Sequence, residues 1–67
     1  MAPIEKMAIK LKRLRKLRKM SQEALAKKAG ISRTYLARIE TARQDPTLST
    51  IEKLAKALRV RPARLLG

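Results

Sequence analysis

The side chains that could do chemistry in this chain are almost all cations. Eighteen Lys and Arg face five Asp and Glu in 67 residues, a formal charge of +13. There is no Cys and no His, which removes thiol nucleophiles, imidazole acid–base catalysis and the usual zinc-finger ligand sets. Tyr35 is the one aromatic, so the stacked rings on which single-strand binders hold bases are missing. No enzyme, metal site or cofactor is expected from such a set. A small folded domain with this excess of positive charge attracts polyanions, either nucleic acid or an anionic membrane surface.

The cations have a pattern. Eight of them lie between Lys6 and Lys19. Two more, Arg33 and Arg38, fall with Ser32, Thr34, Ala37 and part of Tyr35 on one exposed side of a short helical segment. That side lacks any acid and carries donors suited to base edges in a DNA major groove.

The elements that must position these residues are helices broken at Gly and Pro. Ile4, Met7, Leu11, Leu14 and Leu17 recur every three or four residues, predicting an amphipathic helix over about 4–19. Pro3 and Glu5 suit its first turn, and Arg18 and Lys19 its last. Ser21 is an N-cap for a helix over about 22–29. Gly30 permits a left-handed turn, and Ser32 caps a third helix over about 33–42 with Leu36 and Ile39 inward. Arg43-Gln44-Asp45-Pro46 is a loop, Pro46 barring helix continuation through it. Thr47 or Ser49 caps a fourth helix over about 48–58, and Pro62 opens a last one over about 62–66 that buries Leu65 or Leu66. Five short helices and no strand make an all-α domain, read as one unit over residues 1–67. Forty-five per cent hydrophobic residues are enough to fold it. The longest apolar runs, such as Met7-Ala8-Ile9, are too short for a signal-peptide core or a membrane span, so a cytoplasmic location is expected, on nucleoid DNA if the partner is DNA.

The informative stretch runs from Gln22 to Glu40, two short helices joined by a Gly-containing turn. Leu25 and Ala29 lie on the inner face of the first helix. Ala26 is small where the second must cross closely, and Ile31 plugs the turn. The string Ser21-Gln22-Glu23-Ala24-Leu25-Ala26-Lys27-Lys28-Ala29-Gly30-Ile31-Ser32, followed by Leu36-x-x-Ile39-Glu40, Pro46-x-Leu48 and Leu54-Ala55-x-Ala57-Leu58-x-Val60, resembles the Cro/C1-type (XRE-family) helix-turn-helix regulators over about Leu11 to Leu66. The resemblance implies a five-helix, phage-repressor-like domain that binds operator DNA, usually as a dimer. By position it implies base-edge contacts for Ser32, Arg33, Thr34 and Arg38, with Arg33 as the bidentate partner of a guanine. It further implies backbone or supporting contacts for Arg18, Lys19, Ser21, Gln22, Tyr35 and Arg43. A structural ion pair between Arg15 and Glu40 is also implied.

Several of these residues have a second reading. Tyr35 suits a phosphate contact or half-buried packing, and Arg38 a phosphate instead of a base. The Thr34 methyl meets a thymine or nothing. Arg15 belongs either to the ion pair or to the solvated basic side of the first helix. Most of the basic run from Lys6 to Lys19 reads equally as backbone anchoring or as a solvated helix face. Relatives commonly carry Gly where this chain has Lys19, Ala42 and Arg59. Left-handed geometry there would cost on the order of 1–2 kcal/mol each, so these helices are expected to end differently, with a 3₁₀ turn.

The function expected is therefore that of a sequence-specific regulator, most simply a repressor, on a short two-fold operator. Homodimerisation, at least on DNA, would use the last helix and the Leu58–Pro62 turn, with Val60 and Leu65 partly exposed. An antitoxin that also binds a protein toxin is the alternative, although the chain has little room for a toxin-binding segment. A membrane-bound cationic protein is disfavoured because the first helix needs its Leu stripe for the core.

Overall fold

Three N-caps set the frame of the molecule, whose computed structural model describes residues 3–67. Ser21 Oγ accepts the Ala24 N–H at 3.0 Å, Ser32 Oγ accepts that of Tyr35 at 3.0 Å, and Thr47 Oγ1 accepts that of Thr50 at 3.1 Å. Each satisfies an amide that the first helical turn leaves without a partner. The helices are α1 (Pro3–Leu17), α2 (Gln22–Ala29), α3 (Arg33–Glu40), α4 (Leu48–Leu58) and α5 (Ala63–Leu66). No strand occurs among the described residues. Of the two caps open for α4, Thr47 is used, and Ser49 lies inside the helix.

The core gathers one side of each helix. Met7, Leu11 and Leu14 of α1 meet Leu25, Ala26 and Ala29 of α2, Leu36 and Ile39 of α3, Ile51, Leu54 and Leu58 of α4, and Leu65 of α5. Small residues, Ala26, Ala29, Ala55 and Ala57, are buried among them, which lets short helices pack closely. The radius of gyration, 10.2 Å, is near the roughly 11 Å of a tightly folded chain of this length.

Helix endings depart from expectation. Lys19, Ala42 and Arg59 all take left-handed backbone, with φ of 56°, 58° and 59°. The amides explain why. The N–H of Met20 donates to the Arg15 carbonyl at 3.1 Å, that of Arg43 to Arg38 at 2.8 Å, and that of Val60 to Ala55 at 3.0 Å. With the bonds from Lys19 to Lys16, Ala42 to Ile39 and Arg59 to Lys56, each end is a Schellman closure that caps two carbonyls. A 3₁₀ ending would leave the chain on another heading, so the turn is kept and a side chain tolerated in it. Only the fourth such ending, at Gly30 with φ of 72°, uses glycine.

The closures also shorten two helices. α1 stops at Leu17 and not at 19; Leu17 is 72% exposed and takes no part in the core. α3 stops at Glu40 and not at 42, because Ala42 turns away. α5 begins at Ala63, one residue after Pro62. Leu65 is 1% exposed, so it is core and unavailable as the dimer contact expected of it; Leu66 is the exposed residue, at 56%.

Candidate nucleic-acid interface

The turn between α2 and α3 is fixed by its backbone. Gly30 donates to the Lys27 carbonyl at 3.2 Å and Ile31 to Ala26 at 3.0 Å. A Cβ on Gly30 would meet no atom within 4 Å, so glycine is needed there for its positive φ and not for space. Ile31 is half-buried against the core and ties the turn down. α3 then leaves at an angle set by Leu36 and Ile39, both fully buried.

What α3 turns outward follows from its period. At about 100° per residue, Arg33, Ala37, Thr34 and Arg38 fall within an arc of about 140°. Arg33, Thr34 and Arg38 are exposed on it and Ala37 is half-buried. Ser32, also exposed, precedes them at the positive end of the helix. Its oxygen accepts the Tyr35 amide, leaving the hydroxyl proton free to donate outward. The helix has one acid, Glu40, and it is buried. Apart from Ala37, the outward arc is therefore cationic and hydrogen-bonding.

Glu40 anchors this helix to the two before it. Arg15 Nε donates to Glu40 Oε2 at 2.7 Å and Nη2 to Oε1 at 3.1 Å, a bidentate pair with side-chain exposures of 10% and 1%. Arg15 Nη1 donates to the Met20 carbonyl at 2.8 Å, and Gln22 Nε2 donates to Glu40 Oε1 at 3.1 Å. The carboxylate thus links α1, the start of α2 and the end of α3. Arg15 belongs to this pair and not to the solvated face of α1. Gln22 is half-buried and spends one amide proton on Glu40; its Oε1 and other proton stay free.

Tyr35 is half-buried, and its hydroxyl donates to Thr50 Oγ1 at 3.3 Å. Thr50 is buried and also bonded to Thr47 Oγ1 at 3.0 Å. This joins the back of α3 to the capped start of α4 and leaves the phenolic oxygen able to accept. Thr50 belongs to no motif of the sequence. Its only signal is the spacing of Thr47 and Thr50, which matches a cap and its third helical residue. Arg18, Lys19, Ser21 and Arg43 are exposed. Arg43 sits directly past α3, where the left-handed Ala42 sets its departure.

A short helix with a buried back, a glycine turn and a cationic, acid-free front is the helix-turn-helix arrangement. The helix-turn-helix family model (HTH_3) matches residues 11–65, and the chain belongs to this family of Cro/C1-type DNA-binding regulators, a class of regulators and not of enzymes. It is 47% identical over 58 residues to the immunity repressor protein of Bacillus phage phi105, covering 87% of this chain and 40% of the repressor. It is 47% identical over 47 residues to the control protein C.BamHI of Bacillus amyloliquefaciens, covering 70% of this chain and 58% of that protein. The chain therefore spans about two-fifths and three-fifths of these two relatives. Its fold superimposes on the crystal structure of the restriction-modification controller protein C.AhdI of Aeromonas hydrophila with a TM-score of 0.91 at 35% identity, covering 92% of this chain and 94% of that one.

Proposed function

We propose that the chain is a sequence-specific duplex-DNA binder that represses transcription in the cytoplasm by occupying an operator. The observation that carries this reading is the outward arc of α3, free of acids and held rigidly from behind by Leu36, Ile39 and the Glu40 network. Ser32, Arg33, Thr34 and Arg38 reach base edges in the major groove, Arg33 bidentate to guanine at a worth of ~1–3 kcal/mol. Arg18, Lys19, Ser21, Gln22, Tyr35 and Arg43 hold phosphates or support the readers. Two of the similar proteins are named as an immunity repressor and a control protein, and a regulator of that kind fits this surface.

One α3 covers few base pairs, so two copies bind an operator together. The second copy docks at the α5 end, where exposed Leu66 borders a hollow of about 130 Å³ with Ile4, Met7, Asp45 and Ile51. Selection from a random duplex library at about 150 mM salt, where weak electrostatic binding is suppressed, tests the reading. An inverted repeat with half-sites a helical turn apart is the expected result. Arg33→Ala should then relax preference at one position of each half-site, while Lys19→Ala should weaken all duplexes alike. No enrichment from the library would overturn sequence-specific binding.

A further inference from the structure

A second cationic surface lies away from the recognition helix. Two hollows of about 310 and 260 Å³ share Lys28 and Ala57 and form one groove. Its rim carries Arg18, Lys28, Lys53, Lys56 and Arg59, and no acid borders it. No residue of α3 lines it either; it is built from the end of α1, the end of α2 and the C-terminal half of α4.

Local chemistry accounts for only part of this charge. Lys28 and Lys56 lie in the last turns of α2 and α4, and Arg18 and Arg59 follow the ends of α1 and α4, where cations complement the carbonyl ends of helices. Three such ends contribute about −0.5 each; with Arg18 already assigned to the operator duplex, four full positive charges remain and the groove keeps an excess of about +2.5. None of the five has an ion-pair partner; the one salt bridge among the described residues is Arg15–Glu40. Like charges crowded around one hollow repel each other, and an anion laid between them relieves that repulsion.

We propose that this groove holds the phosphate backbone of a second duplex, so that a molecule bound through α3 can bring two DNA segments together. The floor supports a backbone ligand over other polyanions. It is made of small or flush apolar residues, Ala29, Ala57 and Leu58, with Met20 half-buried at one end. The large exposed apolar side chains, Ile9, Leu17, Leu48 and Leu66, all lie elsewhere, so the groove has no wedge to enter a membrane. No aromatic anchor for a protein partner lines it. Point charges around a hollow suit phosphates, which are bound by position and charge without sequence.

The bridging role rests on the proposed operator binding through α3, and the groove itself is tested separately from it. Wild-type protein and the surface variant Lys28→Gln/Lys53→Gln/Lys56→Gln are placed on an immobilised duplex carrying the selected site. A labelled duplex lacking that site is then offered in solution at about 100 mM salt. Wild type should capture the second duplex, and the variant should lose at least about tenfold of that capture. Its slope of log K against log salt should fall by about 2.7, or 0.9 for each lost phosphate contact. Affinity for the selected site on a single short duplex should stay within about threefold, and the thermal melt should be unchanged. Absence of capture by wild type, with operator binding intact, overturns the second site and leaves the first. Equal capture by the variant overturns it too, assigning capture to paired α3 helices. Proportional loss of both activities would make the groove part of one binding surface, and displacement of the second duplex by polyglutamate as readily as by DNA would refute the backbone assignment.

Discussion

Removing the Glu40 carboxylate should cost the protein most of its stability. Glu40→Ala leaves the Arg15 guanidinium, its side chain 10% exposed, with the Met20 carbonyl as its remaining partner, and it strips Gln22 Nε2 of its acceptor. Breaking a buried pair from one side costs ~3–5 kcal/mol. A 67-residue domain has about 3–10 kcal/mol in total at the usual stability per residue, so the variant should be partly unfolded at room temperature. Arg15→Met should cost a similar amount, because a carboxylate 1% exposed is then left with Gln22 alone. The double variant Arg15→Met/Glu40→Leu removes both charges and fills their space. It should lie within about 2 kcal/mol of wild type, the remaining loss coming from the unpaired Met20 carbonyl and Gln22 amide. Urea unfolding followed by far-UV circular dichroism gives these stabilities and that of Glu40→Leu, which closes the cycle with the double variant, and unchanged m-values certify that the transitions compare. The cycle should show a coupling of about 4–8 kcal/mol, the two single losses less that of the double variant. Additive single losses, or a Glu40→Ala cost below about 1 kcal/mol, would refute the idea that burial of one unpaired charge dominates here.

Three further outcomes follow from particular positions. Ala42→Gly should raise stability by about 1 kcal/mol, since a left-handed alanine costs ~1–2 kcal/mol and the added freedom of the unfolded chain returns less than that; the melting midpoint should rise about 4–8 °C in a domain of this size. Leu17→Gln, despite its place on the apolar stripe of the first helix, should change urea stability by less than about 0.5 kcal/mol, because the side chain is already in solvent. Tyr35→Phe removes the bond to Thr50 and leaves a buried Thr hydroxyl with its Thr47 contact, so denaturant titration should show a loss of ~0.5–1.5 kcal/mol; no loss would mean that the 3.3 Å contact contributes nothing in solution.

Local chemistry is enough to read the number and order of the helices, the caps of α2 and α3 and the outward residues of α3. Ser21 and Ser32 announce helix starts because an oxygen at the cap serves an amide three residues on, a local event, while for α4 the same rule admits both Thr47 and Ser49 and the structure uses Thr47. Arg33, Thr34 and Arg38 are legible as exposed because Leu36 and Ile39, at helical spacing, must face the other way. The absence of Cys and His closed off whole classes of chemistry without any coordinates. The Arg15–Glu40 pair was legible only through the resemblance to a family, since twenty-five residues separate the partners.

How the helices end and what stands behind the site depend on packing across the whole domain. Intrinsic backbone preference argues against left-handed Lys19, Ala42 and Arg59. Six backbone hydrogen bonds, together with the heading each helix needs to reach the core, outweigh that preference, and no local window contains the balance. Leu17 leaves the apolar stripe for the same reason: periodicity continues past the point where α1 is turned away. The bond from Tyr35 to Thr50, the hold of Gln22 on Glu40 and the groove shared by Arg18, Lys28 and Lys53 join residues far apart in the chain. Their partners are chosen by how five helices pack, because a side chain's neighbours across a core depend on every helix axis at once and not on its own segment.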